Sequence, residues 1–280
     1  MIKKLLALLL IFLQLFCIGC NNENIAVNTI NNDLIVHFID VGQGDSILIQ
    51  VNNKNLLIDS GSKSERTKII NYLNSLGVNS FDYVIATHPH EDHIGNMAEI
   101  INTYPINKFY APKIENTTKT FEQMIEALKD NNLKINSIHD GTNSINLGKN
   151  TKVRVFSPLN DEYDNLNNYS PVIKLEYGDT SFLFTGDAEK EIEESILAEN
   201  YNISADVIKI AHHGSTTSTS QEFLETVDPY IAVISVGIDN CYGHPNKKTL
   251  SLLANYDLTI FRTDLDGTVV LYSDGKNIYK

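Results

Sequence analysis

The sequence predicts an α/β fold in which two β-sheets pack face to face with helices outside, and three observations carry that expectation. Short, β-branched apolar runs recur along the chain, each bounded by Gly, Asn, Asp or Ser. Stretches with apolar residues at three- and four-residue spacing fall between many of them. The alternation runs through both halves of the chain, so each half supplies a sheet and its helices. The chain has 280 residues, 42% of them hydrophobic, enough for one large domain. We expect a leader over 1–19, a tether over 20–33 and one domain over 34–280.

In order, Leu34 to Val41 reads as a strand, Gly42-Gln43-Gly44-Asp45 as a turn and Ser46 to Val51 as a second strand. Asn52 to Asn55 is a hairpin turn. Leu56-Leu57-Ile58 is a third strand, ending at Asp59. A helix is expected from Glu65 to Leu76, with Ile69, Ile70, Leu73 and Leu76 on one face and Gly77 as its stop. Tyr83 to Ala86 is a buried strand. Helices follow at 94–103 and 120–131, with a strand at 108–110 between them. Thr151 to Phe156, 171–177 and 181–184 are strands, the last two a hairpin about Gly178-Asp179. A helix then runs to Asn200. Asp206 to Ala211 and Tyr230 to Val236 are strands, and a helix starts near Gln221. Thr249 to Tyr256 is helical, and 258–262 and 268–272 are strands.

Chemistry concentrates where apolar strands end. His88, His90, Asp92 and His93 fall within six positions after Tyr83 to Ala86. His88 and His90 are two apart and point the same way from an extended loop. Asp92 and His93 turn toward a second point. One loop therefore offers two imidazoles to one cation, and a carboxylate plus an imidazole to its neighbour. Three further strand ends carry ligand-type residues. Asp59, costly at a buried strand end unless paired, can orient a histidine ligand or cap a turn. Asp187 can bridge two cations or cap the following helix. His212 and His213 close the strand from Asp206. His244 sits in a Gly/Pro loop that can face the site. His37, within the first strand, reads as structural.

The formal net charge is −13, which disfavours tight nonspecific binding to duplex DNA. Divalent cations at a site reverse that sign locally, so a phosphodiester substrate stays open. Cys17 and Cys20 lie in or beside the leader, leaving Cys241 alone in the domain. Neither a disulfide framework nor a cysteine-ligated zinc site can form there. The leader itself has a basic start, Lys3-Lys4, and an apolar run from Leu5 to Ile18, the length of a signal segment. Its end, Cys17-Ile18-Gly19-Cys20, resembles a bacterial lipobox, with Cys17 where that motif usually has Leu. Cys20 is then the lipid-modified residue, and the domain is expected outside the cytoplasmic membrane, lipid-anchored or secreted. Nothing in the sequence implies an obligate protein partner.

Taken together, LIDSG at 57–61, HPHEDH at 88–93, FTGDAE at 184–189 and IAHHGS at 210–215 resemble the metallo-β-lactamase superfamily. VGQGDSILI at 41–49 and SVGIDNCYGHP at 235–245 are similar, more narrowly, to the hydrolase domain of ComEC-type competence proteins. The resemblance implies a four-layer αββα sandwich with two divalent cations, Zn²⁺ or Mn²⁺, at one edge. It implies that His88 and His90 hold the first and Asp92 and His93 the second, with Asp187 bridging. His212 is preferred over His213 to complete the second, and Asp59 and His213 stand behind the ligands. Many relatives have one more histidine before the bridging Asp. Here His139 lies far upstream, and the expected place reads Asn168-Tyr169-Ser170-Pro171, so the first cation is short of a ligand.

The function expected is a metal-dependent phosphodiesterase or nuclease. Two cations about 3.5–4 Å apart polarise a phosphoryl oxygen and bring a bound water to a pKa near 7. Asp92 or Asp187 orients that water, and His244, Lys209 or Ser215 contacts the phosphate. Single-stranded DNA is the first substrate to test. A phosphodiester of the cell envelope, of the teichoic-acid phosphocholine kind, is the alternative enzyme reading. A non-catalytic nucleic-acid-binding lipoprotein is the alternative from another class.

Overall fold

The computed structural model describes residues 33–280. The expected leader, Cys20 and all but the last residue of the tether lie outside the described residues. The chain opens with β1 (Leu34–Phe38), β2 (Ile47–Val51) and β3 (Lys54–Ile58), which meander antiparallel. Asn52 and Asn53 turn the β2–β3 hairpin with φ of 53° and 58°, the left-handed pair that a two-residue hairpin loop requires. Helix α1 (Arg66–Ser75) crosses to β4 (Phe81–Ile85), which runs parallel to β3. Two short helices, α2 (Glu91–Ile94) and α3 (Met97–Thr103), lead to β5 (Ile106–Ala111). Helix α4 (Lys119–Asp130) leads to β6 (Ile135–Ser137), and β4, β5 and β6 are parallel.

The second half repeats the plan. An antiparallel meander, β7 (Thr151–Val155), β8 (Ile173–Tyr177) and β9 (Thr180–Phe184), is followed by α5 (Lys190–Ala198). Three parallel strands complete this sheet, β10 (Val207–Lys209), β11 (Ile231–Ile234) and β12 (Thr259–Arg262). Helices α6 (Gln221–Val227) and α7 (Lys247–Leu253) connect them. After the short α8 (Thr263–Asp266) the chain leaves this sheet. Strand β13 (Val269–Ser273) pairs antiparallel with β1, and β14 (Ile278–Tyr279) pairs with β13. The described sheets therefore have eight strands, β14-β13-β1-β2-β3-β4-β5-β6, and six, β12-β11-β10-β9-β8-β7.

Most central strands are apolar on both faces, as strands covered on both sides must be. Val36, Phe38, Ile47, Ile49, Ile58 and Ile85 face Phe182, Phe184, Val207 and Val233 between the sheets. The alternate residues, Leu48, Leu57 and Val84, pack on Ile69, Leu73, Met97 and Ile100 of the helices. Leu183, Ile208 and Ile234 do the same with Ile192, Ile196, Phe223 and Leu253. Three apolar layers thus hold four structural ones, αββα. His37 is buried on the helix side of β1, with Nδ1 2.8 Å from the Tyr72 hydroxyl, and is structural as expected.

Two elements differ from the reading. The helix expected over 94–103 breaks at Gly95-Asn96. A Cβ at Gly95 would lie 2.4 Å from Lys63 N and 2.6 Å from Gly61 O, so the 61–63 loop presses directly on this turn. Asn96 is buried, and its Nδ2 donates to Ser60 O (3.0 Å) and Ser62 O (2.6 Å). Strand β6 had no apolar run to announce it, because all three of its residues are exposed.

Candidate metal centre

In both sheets the parallel strands end at one edge, where open α/β sheets bind ligands. Strands β3 and β4 deliver Asp59 and the loop 88–93, and β9, β10 and β11 deliver Asp187, the pair His212-His213 and the loop 235–245.

Asp59 is the hub behind the ligands. It is fully buried, with Oδ1 accepting from Thr87 N (2.8 Å) and Oδ2 from Thr87 Oγ1 (2.6 Å) and His93 Nδ1 (2.8 Å). An ionised carboxylate only accepts, so the His93 proton sits on Nδ1 and the Nε2 lone pair faces the site. The Thr87 hydroxyl, having donated to Asp59, is left to accept from His88 Nδ1 at 3.1 Å. That turns the His88 Nε2 lone pair inward as well. One carboxylate thereby sets the tautomers of a histidine in each half of the centre.

The second set of donors is Asp92, His93, His213 and Asp187. His93 Nε2 lies 3.2 Å from Asp187 Oδ2 and 3.9 Å from Asp92 Oδ2. His213 Nε2 lies 3.4 Å and 3.3 Å from the same two atoms. A tetrahedral ion with bonds of about 2.1 Å has ligand–ligand edges of about 3.4 Å, so the set fits a cation. His93 Nε2, His213 Nε2 and Asp187 Oδ1 are buried without a hydrogen-bond partner, an arrangement a divalent cation would satisfy. The electrostatics agree. Burial opposes the charged forms, yet the surrounding carboxylates, Asp187 foremost, push His93 well up and His213 up to about 10. The field that attracts a proton there also attracts a cation. Asp187 and Asp92 carboxyls, despite burial, are held well below the usual range by these histidines.

The first set is smaller. His88 Nε2 is 2.9 Å from His90 Nδ1 and 4.0 Å from Asp187 Oδ2. Burial, and next His93, pushes His88 well below its ordinary value, so it is the neutral form a metal needs. Ser170, at the place of the missing histidine, is behind His88. Its Oγ is 3.3 Å from His88 Nδ1 and accepts the Asp187 amide at 3.1 Å. His139 is on the surface, its Nδ1 2.7 Å from the Asp140 carbonyl.

Three expectations are corrected. His213, not His212, joins Asp92 and His93. The backbone at 212 and 213 is left-handed (φ 48° and 54°), which swings His213 inward, where Nδ1 faces the Ser235 carbonyl at 2.9 Å. His212 stays partly exposed beside the cleft, its Nε2 3.8 Å from Asp187 Oδ2. Lys209 cannot touch substrate. It is 0% exposed, and its Nζ binds Asp45 Oδ2 (2.7 Å), Gly186 O (3.0 Å) and Ile210 O (3.2 Å). Ser215 is also buried. Its Oγ accepts the Thr217 amide (3.3 Å) and lies 3.1 Å from Thr217 Oγ1, so it is committed inside its own loop.

Asp45 and Thr87 were missed. Asp45 is buried, with Oδ1 3.6 Å from His213 Nδ1, and its loop presses on the metal loop so closely that a Cβ at Gly44 would lie 2.0 Å from Asp92 O. The available signal was a charged residue set directly against an apolar strand. His90, Asp92, Asp187, His212, His213 and His244 line one open cleft of ≈ 390 Å³, with Gln43, Ser62, Glu91, Asn167 and Tyr242. Among the described residues, its lining holds no lysine or arginine.

A family model described as "Metallo-beta-lactamase superfamily" matches residues 39–238. "ComE operon protein 3" of Bacillus subtilis (strain 168) is 32% identical over 252 residues, 84% of this chain and 32% of that protein. "Competence protein ComA" of Neisseria gonorrhoeae is 29% identical over 243 residues, 85% of this chain and 32% of that protein. The chain spans about a third of the length of these relatives. Among solved structures, the fold is shared with the metallo-beta-lactamase fold protein YhfI of Bacillus subtilis (TM-score 0.58, 12% identity, covering 86% of this chain and 100% of that one). It is shared too with CmlA, a diiron beta-hydroxylase of Streptomyces venezuelae (TM-score 0.56, 14% identity, 85% and 54%). The chain belongs to the metallo-beta-lactamase superfamily, with the fold and site of a metal-dependent hydrolase related to competence proteins.

Proposed function

We propose that this protein is a phosphodiesterase with a dinuclear metal centre, acting on single-stranded DNA outside the cytoplasmic membrane and held there by lipid on Cys20. The observation that carries the reading is the convergence of His88, His93 and His213 on Asp187 beneath one open cleft. His88, His90 and Asp187 would hold one cation, and Asp92, His93, His213 and Asp187 the other. Bound there, two divalent cations, Zn²⁺ or Mn²⁺, supply Lewis acidity toward both the attacking and the leaving oxygen of an in-line displacement.

The chain's own residues do the rest. Asp187 fixes the spacing of the two donor sets. Asp59 and Thr87 hold His88 and His93 in the tautomers that present lone pairs. Asp92, partly open to the cleft and held ionised by His93 and His213, accepts a hydrogen bond from the attacking water and orients it. His212 and His244 line the cleft and offer N–H groups to phosphate oxygens, the role expected of His244, Lys209 or Ser215. The relatives named as competence proteins support DNA as substrate, and the basic start and apolar run of the leader support the anchor.

The test is a substrate panel on the purified protein loaded with Mn²⁺ or Zn²⁺. Metal-dependent cleavage of single-stranded DNA above duplex DNA and teichoic acid is expected, lost in His88→Ala and Asp187→Asn. Cleavage confined to teichoic acid would transfer the reading to an envelope phosphodiesterase. Binding of DNA with no turnover of any phosphodiester would make the protein a binding lipoprotein.

A further inference from the structure

We infer that Tyr242, backed by His244, is a stacking platform for an unpaired nucleobase next to the phosphate held at the metal centre. The inference rests on the phosphodiesterase reading and narrows its substrate to strands with splayed bases.

Tyr242 lines the cleft with Asp92, Asp187 and His213, yet 66% of it is exposed. It stacks on His244 with planes 15° apart and centroids 6.0 Å apart. His244 in turn meets His212 edge-on at 5.6 Å, so three rings step from the lip of the cleft toward Asp187. The loop that carries them is pinned internally. Asn240 Nδ2 donates to Gly237 O (2.9 Å) and His244 O (2.6 Å), and Asn240 Oδ1 accepts from His244 N (3.0 Å). Gln43 Oε1 accepts from Gly237 N at 3.2 Å and ties the loop to the 42–43 turn packed against it. The backbone on both sides of Tyr242 is thereby held before anything binds, which lowers the cost of ordering this loop around a ligand.

The charge pattern points the same way. A protein that follows a nucleic-acid backbone neutralises phosphates with Lys and Arg. Among the described residues this cleft has neither in its lining, and the chain carries −13. Besides the centre and the N–H groups of His212 and His244, an aromatic face is a means of gripping a strand, and it is indifferent to sequence because every base has a π-face. A duplex keeps its bases stacked inside and cannot use the platform.

The test compares wild type, Tyr242→Ala and Tyr242→Phe on two single strands, a 12-mer of thymidylate and a 12-mer of the same backbone with abasic sites. With the metal-loaded enzyme, Tyr242→Ala is expected to raise KM for the thymidylate strand about tenfold, with kcat within about twofold. KM for the abasic strand stays as in wild type, and Tyr242→Phe behaves as wild type on both. Equal effects on the two strands, or none, would overturn the platform, as would a Tyr242→Phe as impaired as the alanine variant. Binding of both labelled strands is also followed by fluorescence anisotropy in EDTA, which does not depend on turnover. A wild-type preference for the thymidylate strand that Tyr242→Ala abolishes supports the platform even if no phosphodiester is cleaved. No preference in wild type overturns it.

Discussion

Replacing Asp59 by Asn removes a charge while keeping the shape of a fully buried side chain. The carboxylate accepts three hydrogen bonds, from Thr87 N, Thr87 Oγ1 and His93 Nδ1. An amide has one accepting oxygen and one donating nitrogen, so the set cannot survive. If the nitrogen faces His93, the imidazole must accept at Nδ1 and move its proton to Nε2, where it points at Asp187 and blocks the lone pair. If the nitrogen faces Thr87 N–H, two buried donors confront each other at a cost of about 1–3 kcal/mol. Loss of such an orienting partner lowers metal affinity about 10- to 100-fold, or about 1.4–2.7 kcal/mol. Chelator competition with Zn²⁺ and Mn²⁺ measures it directly, and far-UV circular dichroism at pH 7 checks that Asp59→Asn stays folded. A folded variant with wild-type metal affinity would refute the role assigned to Asp59.

His213→Ala should bind one equivalent of metal less than wild type in metal analysis, whereas His212→Ala keeps full occupancy; the reverse result restores His212 as the ligand. Lys209→Met leaves the Asp45 carboxylate buried without its cation, a loss of about 3–5 kcal/mol. Urea denaturation of the metal-free protein should show it, and an unchanged midpoint would mean that the pair is not needed for folding. Burial lowers the His37 imidazole from 6.5 to about 4, so it is neutral in the fold. Its contribution is complete above pH 6.5 and is lost as pH falls toward 4, on the order of 3 kcal/mol in all. His37→Phe should flatten that part of the urea-midpoint profile; an identical slope would place the acid sensitivity elsewhere.

The fold was legible because its strands are apolar on both faces and its helices are not. Ile58, Ile85, Phe184 and Ile234 end such runs, and each is followed by the residues that build the site or frame it. What could not be read was how distant segments meet. Val269–Ser273 looks like any second-half strand, but its partner is β1, because nothing local distinguishes one sheet edge from another. Gly95-Asn96 fits a helix by spacing; the break is imposed by the 60–63 loop, which is close only after folding. His212 and His213 are neighbours, and the place of His212 nearer the strand end favoured the wrong one. The choice between them is made by left-handed backbone at both positions and by the Ser235 carbonyl, 22 residues on.

Lys209 shows how the two halves depend on one another. Strand alternation places it with Val207, whose side chain enters the layer between the sheets. A lysine there is expensive unless an anion meets it. The anion is Asp45, supplied by the first half, and the remaining two bonds go to carbonyls of Gly186 and Ile210, which frame Asp187 and His212. Asp45, Asp59, Asp92 and Asp187 converge on this edge and repel one another, a repulsion that the His93 and His213 imidazoles offset in part. Cations at the donor sets relieve that repulsion only when bound, whereas Lys209 is covalently present from the start. The lysine therefore meets the site from beneath, bonding Asp45 of one half and the carbonyls next to Asp187 and His212 of the other.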